Sequence, residues 1–137
     1  MVDPGTLARL SLFAGLAAPQ LEAVAAVLDD ASFPRGARVI REGFDGEAFY
    51  VITAGEAAVQ IDGQERARLR PGDFFGEVSI LTGDATAADV VAESDELRCA
   101  VLAGAELEPL LRAHPELAVQ MLRTSARRLR SANLWSG

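Results

Sequence analysis

The chain has 137 residues and a mass of 14.5 kDa, a size that fits one compact domain and excludes most multidomain enzymes. Hydrophobic residues make up 50% and charged residues 24%, so the chain can bury a core and does not have the composition of a disordered segment. Because its formal net charge is −7, we expect no direct binding to nucleic acid by this chain.

Several features that other classes of protein require are missing from the sequence. No apolar run reaches the roughly 20 residues that span a bilayer, and the N-terminus lacks a secretion signal, so we expect a cytoplasmic protein with no membrane contact. A single cysteine, Cys99, excludes an internal disulfide, and a single histidine, His114, disfavours a catalytic metal site. No nucleophile with a neighbouring base is visible, so we expect no enzymatic activity.

The first 30 residues have the apolar spacing of helices. Leucine and valine recur every three or four residues, with a proline and a glycine between the two clusters. The apolar positions are Leu7, Leu10, Leu12, Leu21, Val24, Val27 and Leu28. The pattern predicts two short helices joined through Gly15.

Residues 31–103 have the pattern of short strands and tight turns. Gly46, Gly55, Gly63 and Gly72 are 9, 8 and 9 residues apart. The predicted strands are residues 38–41, 49–53, 57–61, 67–69, 88–92 and 97–102. So many short strands close most readily into an antiparallel β-roll or jelly-roll barrel. The expected fold is therefore mainly β, with N-terminal helices and a long C-terminal helix.

Residues 104–135 return to helical spacing. Leu107, Leu110 and Leu111 mark one helix, and Pro115 is well placed as the first residue of another that runs to about Leu134. The last helix has an apolar stripe and a set of arginines on its other faces. The stripe is Leu117, Met121, Leu122, Ala126, Leu129 and Asn133, and the arginines are Arg123, Arg127, Arg128 and Arg130. In the simpler interpretation the stripe packs against the barrel and the arginines are solvated.

One short segment interrupts the strands and carries most of the functional signal. Residues 71–77 lead into residues 78–82, which predict one or two helical turns. The start of such a helix has unpaired N–H groups that attract an anion, and Gly76 would let a ligand approach the backbone closely. Glu77 is an acceptor suited to a sugar hydroxyl. The alternative is that the Gly-Glu pair makes a turn and exposes a solvated carboxylate.

The same segment resembles the phosphate-binding cassette of the cyclic-nucleotide-binding domain family. Residues 75–92 read FGEVSILTGDATAADVVA, and the turns at Gly43, Gly55-Glu56 and 71–73 also match that family. The helix from Pro115 resembles the closing helix of bacterial regulators of the catabolite-activator type. The resemblance covers nearly the whole chain, so it implies a single domain over residues 1–137.

The resemblance implies roles for individual residues. Glu77 matches the glutamate that binds the ribose 2′-hydroxyl. Gly76, Val78 and Ser79 stand where the backbone receives the cyclic phosphate, and cAMP or cGMP is the implied ligand. The remaining matched positions of the cassette are Thr86, Ala87 and Ala88.

Two matched positions depart from the family's pattern. Thr86 stands where the family has a phosphate-binding arginine, and Asp89 stands where it has threonine or serine. Losing a charge-assisted hydrogen bond costs about 1.5–3 kcal/mol, and a carboxylate that faced the phosphate would add repulsion. Arg41 or Arg98 could reach in from a neighbouring strand instead.

The last helix also has a sharper interpretation that comes from the resemblance. Two such helices pair in the activator-type regulators, so the stripe becomes a homodimer seam. Ala132 and Asn133 match the base-contacting region, and Asn133 and Trp135 are the candidate base lid. The regulators carry a helix-turn-helix domain after this helix, but the chain stops at Gly137, so a free-standing sensor and a domain of a larger protein both stay open.

The function that follows from the resemblance is that of a non-enzymatic regulatory sensor. It binds cAMP or cGMP at the cassette and signals through the C-terminal helix to an unknown downstream protein or a fused effector domain. The alternative is a degenerate cassette, retained as a dimerisation or protein-interaction module or for another ligand. No other cofactor and no metal are expected.

The remaining polar and basic candidates have structural interpretations. We expect His114 to cap a helix end and Cys99 to be a small buried residue in a strand. The acidic pairs, Asp29-Asp30 and Glu106 with Glu108, are expected in solvated turns and helix faces. The arginine run at 127–130 is expected to be a solvated helix face.

Overall fold

Antiparallel strands in two four-stranded sheets form the centre of the chain. The structure is a computed structural model that describes residues 1–43 and 47–136, with side chains through Ser131. One sheet has the order β1-β8-β3-β6 and the other β2-β7-β4-β5. The strands are β1 (Asp29–Pro34), β2 (Arg38–Ile40), β3 (Ala48–Ala54), β4 (Ala57–Ile61), β5 (Gln64–Leu69), β6 (Phe74–Phe75), β7 (Asp89–Ala92) and β8 (Glu96–Ala103).

Helices flank the two sheets at both ends of the chain. They are α1 (Pro4–Ala8), α2 (Ala18–Val27), α3 (Glu77–Thr82), α4 (Leu107–Ala113) and α5 (Pro115–Ser136), with short 3₁₀ turns between α1 and α2 and before α4. Helix α3 is inserted between β6 and β7, where the sequence predicts a short helix. The predicted class, a jelly-roll-like β structure with N-terminal helices and a long C-terminal helix, is confirmed. The predicted turn at Gly46 lies outside the described residues.

The alternation of side chains along the strands explains the division into core and surface. In β8, Leu97, Cys99 and Leu102 are buried, whereas Glu96 and Arg98 are exposed. One apolar cluster fills the space between the sheets around Ile52, Phe75 and Cys99, so the prediction of a buried Cys99 is confirmed. A second cluster joins the flanking helices to the first sheet. Its largest members include Leu7, Leu28, Phe49, Phe74, Leu107 and Leu117.

Strands β1 and β6 were not expected from the sequence. Asp29 and Asp30 were predicted in a solvated turn, but they begin β1, where Asp29 lies opposite Val101 and Asp30 opposite Ala100 of β8. Aspartate is a poor strand former, and the pairing with β8 outweighs that preference. Both side chains stay exposed on the outer surface, so only the prediction of a turn is wrong.

Helix α5 begins after a break at His114. The His114 N–H donates to the carbonyl oxygen of Leu110, so His114 ends α4 and the predicted role at a helix end is confirmed. Leu117 and Met121 in the first half of α5 are buried against the domain.

The outer face of α5 is apolar and exposed. Leu122 is 70% exposed, Leu129 63% and Val119 46%, so the expectation that Leu122 and Leu129 pack against the barrel is wrong. A helix advances about 100° per residue, so the three side chains project opposite the face that carries residues 124, 127, 128 and 131. We call Val119, Leu122 and Leu129 the outer stripe. Within the described residues, no helix is both long and apolar enough to cross a membrane.

Candidate functional site

A cavity of about 900 Å³ lies between the cassette, strand β5 and helix α5. All seven residues that the sequence analysis assigned to ligand binding line it together: Gly76, Glu77, Val78, Ser79, Thr86, Ala87 and Ala88. Strand β5 contributes residues 66–69, and α5 contributes Thr124, Arg127, Arg128 and Ser131. The spacing of those four positions, i, i+3, i+4 and i+7, places them on one polar face of α5.

Gly76 is required by the chain itself at the entrance to α3. Its φ of 93° is in the left-handed region that favours glycine. A Cβ at this position would lie 2.5 Å from the carbonyl oxygen of Ala48 in β3. A side chain at this position would therefore collide with backbone, so the fold itself requires glycine here, and Gly76 also lines the cavity.

Glu77 lies in the first turn of α3 with only 6% of its surface exposed. Burial raises the pKa of its carboxyl, and the nearby positive charge of Arg128 opposes that rise. A carboxylate oxygen of Glu77 is 3.7 Å from a guanidinium nitrogen of Arg128. The alternative of a solvated Glu77 carboxylate is therefore wrong for this structure.

Arg128 connects helix α5 to the cassette. Its guanidinium donates a hydrogen bond of 2.7 Å to the carbonyl oxygen of Phe74 and lies 4.5 Å from the centre of the Phe74 ring. With the Glu77 ion pair, these contacts fix α5 to β6 and to the first turn of α3. Arg128 was predicted on a solvated helix face, and that prediction is wrong for this arginine because β6 and α3 offer it an acceptor, a ring and a carboxylate.

The two residues that depart from the family's cassette are tied to the chain that follows β2. The Thr86 hydroxyl donates to the carbonyl oxygen of Arg41, and the Thr86 carbonyl oxygen accepts from the Gly43 N–H at 2.8 Å. The Asp89 carboxylate accepts from the Glu42 N–H at 2.7 Å.

Asp89 also lies 4.0 Å from a nitrogen of Arg38 and is not part of the cavity wall. The repulsion expected if Asp89 faced a phosphate therefore does not apply to this arrangement. Its carboxylate instead helps to hold the end of β2 against β7.

The arginines that the sequence analysis suggested as substitutes do not line the cavity. Arg98 in β8 pairs with Asp30 in the neighbouring strand β1. Neither Arg98 nor Arg41 is part of the cavity wall. Four other arginines line it: Arg66, Arg68, Arg127 and Arg128. Two signals could have found them: Arg66 and Arg68 are two residues apart in a β segment and so share one face of the strand, and residues 124, 127, 128 and 131 have the spacing of one helix face.

The candidate base lid cannot be placed. Asn133, Trp135 and the matched Ala132 have side chains outside the part of the structure described. Among the described residues no group of three histidine, cysteine or acidic side chains could hold a metal ion. The described wall of the cavity thus combines a buried carboxylate, a short helix and four arginines.

Comparisons with known proteins identify the family. The family model described as "Cyclic nucleotide-binding domain" matches residues 31–114, which include the whole cassette and both sheets apart from the first two residues of β1. The chain belongs to the cyclic-nucleotide-binding domain family.

Individual relatives include bacterial and eukaryotic regulators. The CRP-like cAMP-activated global transcriptional regulator of Mycobacterium tuberculosis is 32% identical over 132 residues, which cover 93% of this chain and 58% of that regulator. The catabolite activator protein of Thermus thermophilus has a TM-score of 0.78 and 32% identity, over 90% of this chain and 60% of its own.

A third relative belongs to a kinase. The regulatory subunit of a cAMP-independent protein kinase A from Trypanosoma brucei has a TM-score of 0.77 and 29% identity, over 89% of this chain and 45% of its own. The chain spans about three fifths or less of these relatives.

Proposed function

We propose that this domain is a non-enzymatic sensor that binds a cyclic nucleotide, cAMP or cGMP, in the cavity and reports the binding through α5. The observation that carries the proposal is the position of Glu77, a carboxylate buried in the cavity wall at the family's ribose-binding position. A buried carboxylate needs donors, and a ribose hydroxyl supplies one. The match to the family and the likeness to the Thermus activator support the same ligand class.

In this proposal the ribose 2′-hydroxyl donates to Glu77, and the cyclic phosphate contacts the backbone from Gly76 to Ser79. The first N–H groups of α3 have no acceptor within the helix, so they can donate to phosphate oxygens. Ala87 and Ala88 leave room for the sugar and phosphate on the opposite wall. Thr86 contributes no charge there.

The coupling to α5 follows from the ion pair between Glu77 and Arg128. A ribose hydroxyl that binds Glu77 competes with Arg128 for the same carboxylate or joins the pair. Either event changes the contacts that hold α5 on Phe74, so ligand binding shifts the balance between two packings of α5. A fused domain or a partner protein then responds to the position of the helix.

Titration calorimetry of ligand-stripped protein with cAMP and with cGMP, carried to millimolar concentration, tests the proposal. We expect saturable binding of at least one nucleotide by the natural chain and a loss of about tenfold or more in Glu77→Ala. Glu108→Ala is the matched control, because Glu108 is exposed on α4, pairs with Arg112 at the surface and does not line the cavity. The absence of binding, or equal binding by Glu77→Ala, contradicts the proposal.

A second function, that of a dimerisation or protein-interaction module with an unused cassette, is favoured by two observations. The outer stripe leaves three large apolar side chains exposed on α5, and Thr86 gives its hydroxyl to Arg41 instead of to the cavity. A homodimer through α5 covers the outer stripe and is compatible with either function. Sedimentation that shows a dimer, together with no calorimetric response to nucleotides, favours the second function.

A further inference from the structure

The charges of the cavity wall are distributed unevenly. Within the cassette, residues 75–92, the wall has two carboxylates, Glu77 and Asp84, and no positively charged side chain. All four positive groups come from outside the cassette, two from β5 and two from α5. On a chain with a net charge of −7, this wall holds four arginines and three carboxylates, so arginine is concentrated at the cavity.

Two of the four arginines are already paired. Arg68 lies 2.6 Å from a Glu65 oxygen and 3.4 Å from a Glu56 oxygen, and Arg128 has the contacts with Glu77 and Phe74 described above. Binding a ligand through either would break an existing ion pair.

Arg66 and Arg127 have no ion pair among the residues that the structure describes. Arg127 donates to the Thr124 hydroxyl at 3.3 Å, which leaves most of its donors for another acceptor. Arg66 is on the edge strand β5 and Arg127 is on α5, so the two approach the cavity from different walls.

We propose that Arg66 and Arg127 hold the negatively charged phosphate of the bound cyclic nucleotide, in place of the arginine that the cassette lacks at position 86. The inference rests on the proposed function and adds the residues that recognise the charge of the ligand. A guanidinium supplies several donors in one plane and stays charged at every physiological pH, so it suits phosphate oxygens. A ligand held from both walls also joins β5 to α5.

Binding measurements on four proteins test the inference. They are the natural chain, Arg66→Ala, Arg127→Ala and the control Arg130→Ala, which removes an exposed arginine of α5 that does not line the cavity. Each is titrated with cAMP, cGMP, adenosine and guanosine, and circular dichroism verifies that each variant is folded. We expect Arg66→Ala and Arg127→Ala each to weaken the better-bound cyclic nucleotide about tenfold or more, with the uncharged nucleosides and the control unaffected.

Two results would overturn the inference while leaving the proposed function intact. In the first, binding depends on Glu77 but is unchanged in both arginine variants. In the second, the arginine variants weaken cGMP and guanosine together and leave cAMP unchanged, because the arginines then recognise the base. If the natural chain binds neither cyclic nucleotide, the proposed function fails and the inference fails with it.

Discussion

Removal of the Arg128 side chain tests how α5 is held on the domain. In Arg128→Ala the variant loses the hydrogen bond to the Phe74 carbonyl oxygen, the contact with the Phe74 ring and the ion pair with Glu77. The Glu77 carboxylate, whose side chain is 7% exposed in the natural chain, is left without this ion-pair partner. We therefore expect Arg128→Ala to lower the free energy of unfolding.

The structure sets the size of the effect. Breaking a fully buried ion pair by removing one partner costs about 3–5 kcal/mol, but the Arg128 side chain is 37% exposed, so water compensates part of the loss. A hydrogen bond from a charged donor is worth about 1.5–3 kcal/mol, and a partly exposed cation–π contact about 0.5–1 kcal/mol. The ion pair, the hydrogen bond and the ring contact are not additive, because one guanidinium makes all three. We expect a loss of about 2 kcal/mol.

Urea unfolding followed by circular dichroism measures the loss, with Arg130→Ala as the control on the same helix. Surface substitutions away from such contacts change stability by about 0.5 kcal/mol or less. Glu77→Gln combined with Arg128→Ala should destabilise the domain less than the sum of the two single changes, because the double variant leaves no unpaired buried charge. If Arg128→Ala unfolds at the same urea concentration as Arg130→Ala, the contacts of Arg128 do not hold α5 and the reasoning is wrong.

Three further predictions concern the cassette and the outer stripe. Burial raises the pKa of Glu77, so the stability of the natural chain relative to Glu77→Gln should fall as pH rises above 4.5, the ordinary pKa of the carboxyl. The difference should level off once the carboxyl is ionised in the folded state. Unfolding curves at several pH values measure it, and a rise in relative stability with pH would contradict the raised pKa. Gly76→Ala should lower the free energy of unfolding by about 2 kcal/mol or more in the same assay, because its Cβ would lie 2.5 Å from the Ala48 oxygen. The control Gly83→Ala, with a φ of 78° and open space around it, should cost about 1 kcal/mol from backbone strain alone. Equal losses would show that the contact with Ala48 is unimportant. Leu129→Glu should convert a dimer to a monomer in sedimentation velocity, and a natural chain that is monomeric at high concentration contradicts the dimer through α5.

The sequence predicted the β fold well because its signal is local. The glycine spacing and the β-branched segments define most strands within one or two residues, and residues 57–61 match β4 as predicted. Strands β1 and β6 were missed because their pairing is not local: Asp29 pairs with Val101 across the chain, and β6 has only two residues. No window of sequence contains the partner that makes either segment a strand.

The candidate site was predicted from the resemblance and only in part from the residues. The cassette positions assemble around one cavity because all of them lie within one short segment, residues 76–88. The direction of each longer side chain depends on tertiary contacts that the sequence does not reveal. Arg128 contacts Phe74 more than fifty positions away in the chain, and Asp89 turns toward the Glu42 N–H instead of the cavity.

Arg128 and Leu129 are consecutive residues, yet one side chain lines the cavity and the other is exposed to solvent on a different face of the helix. A partner that covers Leu129 and moves α5 changes the affinity of the cavity for its ligand. Thermodynamic linkage then requires the ligand to change the affinity for that partner by the same factor. If the proposed ligand binding and the proposed dimer both act through α5, ligand affinity and self-association are linked quantities. The dissociation constant measured for the ligand would then depend on the protein concentration and would change on dilution, because dilution changes the fraction of dimer.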